Sequence, residues 1–436
     1  MDNNAILIRK NISAKRMASH IKELVKYGPR HSGTDREHKA ADYVKKVFNV
    51  QGVKVKTDKV DGIINWKLKD CRVRVVKPVE QELTSIALLG SGSTPKEGII
   101  AELLYIGKGT MGDYLKADFK DRFIMRDPPR SFMLDNASDE SAPQGPTKML
   151  VDGGVAGFIE HARFPGRILQ MPLLSGPDGI AVPAVAVTYE DGQYLKELLR
   201  EWYAVPGGCK RISDKIDVEI KIQVDASCKP GYGINVIGRI DGADKPDEVI
   251  CLVSHHDNAN GPGANDNAAA VAVNLEVANV LNKFNRPKRS IEFLSVTAEE
   301  FGEVGSDSYV NKYVKKDPSK YKGVINMDMI NLGDHLYYIE RSICLGKLVE
   351  NDKKLNAKIK GMCDQLGYHI EGTPLEYASD DGPFILAGIP TSYVFSLTPR
   401  FSWLHTYMDD FDVININGLT STAEIMANSI WQLANE

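Results

Sequence analysis

The sequence predicts an α/β fold: a mostly parallel mixed sheet flanked by helices, interrupted by an inserted small β-rich domain. Three observations predict it. From about residue 230 onward, apolar strand-like runs alternate with helical patterns, as parallel strands joined by crossover helices require. Between about 80 and 220 the texture changes to short apolar runs separated by Gly, Pro and Asp turns. Before that stretch, amphipathic helical patterns supply a cover for the sheet. The expected division is residues 1–78 with 222–436 for the main domain, and 79–221 for the insert.

The elements follow in chain order. Met17, Ile21, Leu24 and Val25 fall at helical spacing behind Ser13, a capping residue. "GPRHSGT" breaks that helix. Ala41, Tyr43, Val44 and Val47 form the apolar face of a second one, which Gly52 ends. The insert contributes the strands within "GIIAELLYIG", "RFIMRD", "VAGFIEHA" and "IAVPAVAVTYEDG". In "DEVICLVSHHD" the unbroken apolar run from Val249 to Val253 reads as a strand buried on both faces. "NDNAAAVAVNLEVANVLNKF" is expected to be a helix with Val273, Val277, Val280, Leu281 and Phe284 on its apolar side, beginning near Asp266. "RSIEFLSVTAEE", "KGVINMDMI" and "GIPTSYVFS" read as further strands. "SDSYVNKYVKK", "NAKIKGMCDQLG" and the terminal "NGLTSTAEIMANSIWQLAN" read as helices.

Composition limits the function classes. The chain has 54 basic and 58 acidic residues, a formal charge of −4, which supports neither a nucleic-acid surface nor an anionic membrane as partner. No run approaches the roughly 20 apolar residues of a membrane span, and the first 25 residues hold no signal-peptide core. The six cysteines, at 71, 209, 228, 251, 344 and 363, show no CxxC spacing. A cytoplasmic protein with buried reduced thiols is expected.

Ligands of open α/β sheets bind outside the carboxyl ends of the strands. There this sequence places "SHHDNANGPGANDN", with His255, His256, Asp257 and Asp266. Glu299 and Glu300 follow the strand ending near Val296, Asp328 follows the strand through Ile325, and His405 lies in the loop after the last strand. Histidine and carboxylate together suit Zn²⁺, or Mn²⁺ and Co²⁺ in its place. The set is too rich in nitrogen for a Ca²⁺ cage and too anionic for one ion, so two divalent cations sharing a bridging carboxylate are expected. Asp328 stands between two methionines in an apolar strand, where an unpaired carboxylate is costly.

"SHHDN" with "GPGANDNAAAVAVNLEVANVL", then "FLSVTAEEFGEVGSDSYV", "NMDMI", "ASDDGPFILAGIPT" and "LHTYMDD" resemble the co-catalytic zinc aminopeptidase family, which includes bacterial leucyl aminopeptidases, aminopeptidase Y and the glutamate carboxypeptidase II branch. "GGVAGFIEH" and "VPAVAVTYEDGQYL" resemble the protease-associated domain that many members carry. The resemblance implies a zinc exopeptidase-like fold and a di-zinc metallopeptidase acting on N-terminal residues of peptides. It gives His255 and Asp328 to one metal, Glu300 and His405 to the other, and Asp266 to both. Glu299 becomes the general base for a metal-activated water, and Asp257 a support that orients His255. Leu404 stands where the glutamate carboxypeptidase branch carries a tyrosine, which argues against that branch.

Two rivals remain. A carboxypeptidase or dipeptidase of the same fold needs an arginine or lysine for the substrate carboxylate, with Arg400 and Lys210 as candidates. A non-catalytic scaffold would bind partners through the insert. Peptides are the expected partners, with homo-oligomerisation open. Several residues are given lesser parts. His256 is the alternative ligand of its doublet. Asp266 doubles as a helix N-cap. Asp380 and Asp381 support the substrate pocket. His31, His38 and His161 are surface or turn residues; Tyr407, Asp409 and Asp410 flank His405, with Asp409 or Asp410 open as a support behind the ligands and no catalytic role expected.

Overall fold

The computed structural model describes residues 3–107, 109, 111–127, 144–171, 178–199, 202–205, 208–211, 217–330, 335–344, 347–377, 379–396 and 403–436. The chain divides into two units, Met1–Ile63 with Gly231–Glu436, and Ile64–Pro230. It passes from one to the other inside two long strands, Lys54–Lys77 and Glu219–Ile240. The borders therefore sit within regular structure, not at 78/79 and 221/222 where the composition changes.

In the first unit the strands Thr391–Ser396, Tyr321–Met327, Lys245–His255 and Arg289–Val296 lie side by side and parallel, in that order. Residues 236–240 of Glu219–Ile240 close one side antiparallel, and Leu336–Cys344 closes the other. Alternate residues of the central strand enter two separate cores, as a period of two dictates. Ile250 and Leu252 pack on one face with Phe293, Ile325 and the long helices. Val249, Cys251 and Val253 pack on the other with Leu294, Val324, Tyr309 and Phe384. The chain runs from Lys245–His255 to the strand on one side and then crosses to the strand on the other, which opens a crevice at the carboxyl end of the central strand.

The helix after the central strand spans Ala269–Leu281, and every residue in it except Asn279 is buried. The expected one-sided apolar face is therefore wrong. Small alanines let Ala14–Val25, Asp35–Val50 and Ile416–Asn435 all pack against this helix. Its buried Glu276 accepts from Arg16 Nη2 and Nε at 2.6 and 2.9 Å and from Ser13 N at 2.7 Å. Ser13 and Thr34 cap the two N-terminal helices.

The second unit holds four parallel strands, Ile99–Tyr105, Phe123–Met125, Gly157–His161 and Ala184–Val187, each paired with the next. Ser85–Ala87 adds antiparallel to the last. Helices Met111–Lys116 and Gln144–Asp152 lie in two of the crossovers and Tyr189–Leu198 follows the last parallel strand, so this unit is itself α/β where a β-rich texture was expected. The helix Asn3–Asn11 and the strands Leu336–Cys344, Lys347–Glu350 and Ile370–Tyr377 carry no clear periodicity and were not expected. No helix among the described residues is long and apolar enough to cross a membrane.

Candidate metal centre

The carboxyl ends of the parallel strands deliver the chemistry. His255 is the last residue of its strand, and Asp328 directly follows Met327. Glu299 and Glu300 lie in the turn after Val296. Ala298, Met329 and His405 have positive φ, 56°, 49° and 56°, an uncommon conformation for residues with a side chain. These conformations thus stand next to Glu299, next to Asp328 and at His405 itself. Asp266 lies in the turn Ala264–Ala268, with φ −114° and ψ 90°. It is not the expected helix N-cap, because regular helix begins only at Ala269. Gly263 leads into this turn at φ 63°, and a Cβ there would meet Asn258 Nδ2 at 2.6 Å. That position needs glycine.

Five of the expected residues come together as two trios, His255 with Asp266 and Asp328, and Asp266 with Glu300 and His405. Within each trio one donor atom per residue lies within 4.8 Å of the others. His255 Nε2 stands 3.2 Å from Asp328 Oδ1 and 3.3 Å from Asp266 Oδ1. His405 Nε2 stands 3.1 Å from Asp266 Oδ2 and 3.2 Å from Glu300 Oε2. Asp266 therefore gives one oxygen to each trio. Two donors held about 2.0–2.1 Å from one tetrahedral zinc are about 3.3 Å apart, so these separations fit a cation in each trio.

Other atoms of three of these five residues are already tethered. Glu300 Oε1 accepts from Ala259 N at 2.9 Å, and Asp328 Oδ2 accepts from Ser379 Oγ at 3.0 Å. The Nδ1 of His255 lies 3.2 Å from the main-chain oxygen of Asp257, which fixes the tautomer whose Nε2 lone pair faces the carboxylates. The Asp257 carboxylate is farther, at 3.6 Å. It accepts from Ser32 Oγ at 2.7 Å and from the N–H groups of Glu299 and Glu300, both at 3.3 Å. Its Oδ1 faces that same Nδ1 within ion-pair distance. Main chain and carboxylate of Asp257 thus both stand at the His255 Nδ1, and the carboxylate also holds the glutamate pair.

All five ligands are at most 7% exposed, and the site is short of positive charge. Burial disfavours a proton on His255, but Asp328 and Glu299 outweigh it and hold the pKa well above the ordinary value. Glu300 and Asp266 do the same for His405. Burial, reinforced by Asp328, Glu300 and Asp380, lifts Glu299 far above the carboxylate range despite the opposing pull of His255. Burial lowers the Arg30 guanidinium to about 10 against the opposing charges of Asp409, Asp257, Asp266 and Glu300. It is fully buried.

The other expected residues sit elsewhere. His256 faces away, bonded to Glu37 Oε1 at 2.9 Å and Ser295 Oγ at 3.0 Å, so it joins neither trio. His31 and His161 are buried, not surface residues; His31 Nε2 pairs with Ala259 O at 2.9 Å. His38 is partly exposed and stacks on Tyr232. Asp380 and Asp381 are buried, bonded to Ser306 Oγ at 2.6 Å and Ser342 Oγ at 2.5 Å, and burial pushes both up to about 7. Tyr407 is exposed, and Asp410 accepts from Phe411 N at 2.6 Å. Cys228 is exposed and Cys71 half-buried, against the expectation of buried thiols. Arg400 and the side chains of Lys210 and Cys209 lie outside the described residues. Sequence reasoning missed Arg30 and Ser32, because "GPRHSGT" was read only as a helix break, and Glu37, which lies in the first turn of the helix after it.

Residues 235–430 match the family model of peptidase family M28. Aminopeptidase YwaD of Bacillus subtilis is 22% identical over 425 residues, 96% of this chain and 84% of that protein. Human carboxypeptidase Q is 23% identical over 410 residues, 92% of this chain and 81% of that one. The chain spans about half the length, 47%, of the fungal leucine aminopeptidases it also matches. Among solved structures, a zinc aminopeptidase from Bacillus subtilis superposes with a TM-score of 0.74 at 21% identity, covering 98% of this chain and 96% of that one. That likeness is one of fold.

Proposed function

We propose that this chain, whose residues 235–430 match the model of peptidase family M28, is a two-metal aminopeptidase that removes N-terminal residues from peptides. The observation that carries the reading is Asp266, whose two oxygens serve separate trios at 3.3 and 3.1 Å. His255 and Asp328 would hold one cation, Glu300 and His405 the other, and Asp266 both. The nitrogen and oxygen donors suit zinc, with Mn²⁺ or Co²⁺ as substitutes. Bound there, two divalent cations would polarise the scissile carbonyl and make a water acidic enough to react at neutral pH.

The chain's own residues supply the rest. Glu299 follows the metal-facing Glu300 but belongs to neither trio, which leaves it available to take a proton from the attacking water and deliver it to the departing amine. Asp257 holds that glutamate pair through both N–H groups. Burial keeps these groups out of water and strengthens their fields.

An aminopeptidase is preferred to a carboxypeptidase on charge. Acids line the site, which favours a cationic α-amine. Arg30, the buried arginine nearest in charge, spends its donors on the main-chain oxygens of Leu24, His256, Pro262 and Gly263, so it does not offer them to a substrate carboxylate. Two further parts of the reading rest on sequence. The second unit is taken as a protease-associated-like insert, and a reducing, cytoplasmic setting is taken from the unbridged cysteines at 71, 228, 251, 344 and 363.

Zinc analysis together with a panel of free, N-blocked and C-blocked peptides tests the proposal. Two metal equivalents and cleavage of free and C-blocked peptides are expected. Cleavage of N-blocked peptides alone would overturn the aminopeptidase assignment, and metal without hydrolysis would favour a binding scaffold.

A further inference from the structure

The loop that carries Asp266 is gripped from both sides by residues that touch neither trio's donor atoms. On one side is Arg30, a fully buried guanidinium with no exposure. Its Nε donates to His256 O at 2.7 Å, Nη1 to Pro262 O at 2.5 Å and Leu24 O at 3.3 Å, and Nη2 to Gly263 O at 2.9 Å. Its own N–H donates to Asn258 Oδ1 at 2.6 Å, and its carbonyl accepts from Asn258 N at 3.3 Å. On the other side is Asp409, 3% exposed. Its Oδ1 accepts from Asn265 N at 2.7 Å, its Oδ2 from Asp266 N at 3.0 Å, and its main-chain O from Ala264 N at 3.0 Å.

The successive carbonyls of 262 and 263 thus bind a cation, and the successive N–H groups of 264, 265 and 266 bind an aspartate. The turn is not helical at Asp266 and Asn267; its own main chain reaches Gly263 O, from Ala268 N at 3.2 Å, and the other groups would be costly to bury unpaired. Asp409 lies in the same loop as His405, so a shift in either strand-end loop displaces the other.

We propose that Arg30 and Asp409 are positioning residues which set the main chain of 256–266 so that Asp266 presents one oxygen to each trio. This rests on the two-metal reading. A merely structural pair would stabilise the apoprotein without changing its affinity for metal. A positioning pair acts on metal affinity, and its members act through one loop.

Zinc titration of the metal-free wild type, Asp409→Asn, Arg30→Lys and the double variant, by competition with a chelating dye, separates these cases. Circular dichroism checks that each variant is folded. The wild type is expected to take two equivalents. Each variant is expected to bind at least one of them about 10- to 100-fold more weakly, and the double variant to lose less than the sum of the two effects. Folded variants with wild-type affinity for both equivalents would overturn the proposal, whatever happens to their melting temperature. Should Arg30→Lys not fold, the isosteric Asp409→Asn decides alone. A wild type that takes no zinc would instead sink the two-metal reading, which is a separate result.

Discussion

Two sets of parallel strands in this molecule end in acids and histidines, and they meet the problem of buried charge differently. In the second unit Glu160 and His161 end one strand and Asp127 follows another. Each acid there has a cation of the same unit. Arg126 Nε bonds Glu160 Oε1 at 2.9 Å, and Lys196 pairs with Asp127, which also accepts from Tyr105 OH at 2.7 Å. Burial pushes the Asp127 carboxyl up, but Lys196 and Tyr105 outweigh it and lower its pKa; burial keeps His161 neutral. In the first unit the strand ends carry Asp257, Asp266, Glu299, Glu300 and Asp328, and the arginine nearest to them is committed to main-chain carbonyls. Acids at strand ends do not by themselves mark a metal site. A deficit of countercharge among them does.

The largest way to sharpen this contrast is Glu299→Gln. It leaves both trios intact, so metal content should stay at the wild-type level while kcat falls on the order of 10²- to 10⁴-fold. An unchanged kcat would remove the base assignment. Next comes Asp266→Asn, which removes charge from the shared residue. Metal analysis should find fewer than two equivalents, and the rise in Tm produced by saturating zinc, equivalent to about 4 kcal/mol at a thousandfold excess over Kd, should shrink. In the second unit the opposite holds. Arg126→Met strips the buried Glu160 of its cation and should cost about 3 kcal/mol of stability, read by denaturant unfolding, with zinc affinity unchanged. A loss of zinc binding there would break the distinction between the two strand rims.

The smallest effect concerns a histidine away from the metal cluster. Burial, aided by Arg16, pulls His20 down to about 4, whereas the acids hold His255 and His405 up. A pKa below the unfolded value means the unfolded chain binds more protons between these two values. The stabilising contribution is therefore present above about 6.5 and is lost as pH falls toward 4, by about 1–2 kcal/mol at pH 5. Replacing His20 by glutamine should flatten that part of the stability profile. An unchanged slope would contradict the burial argument.

Much of this was legible in the sequence. The run Val249–Val253 required a strand covered on both faces, and the acids and histidines after each such run had only one rim to share. The pairing of donors was not legible. That Asp266 divides its oxygens depends on a non-helical turn, and the pattern "NDNAAAVAV" looks helical from its first residue. Arg30 escaped notice because its partners are main-chain carbonyls 226 to 233 positions away, which leave no trace in side-chain spacing. The second task of Asp257 left no trace for a similar reason: its carboxylate also accepts from N–H groups of a turn more than 40 positions away. The strands Lys347–Glu350 and Ile370–Tyr377, each paired with Leu336–Cys344 among the described strands, were missed because edge strands need no apolar alternation.

The central claim is that two cations share Asp266. Anomalous diffraction at the zinc edge from zinc-loaded crystals tests it most directly. Two peaks are predicted, one between His255 and Asp328 and one between Glu300 and His405, each within bonding distance of a different Asp266 oxygen. A single peak, or peaks away from Asp266, would contradict the account.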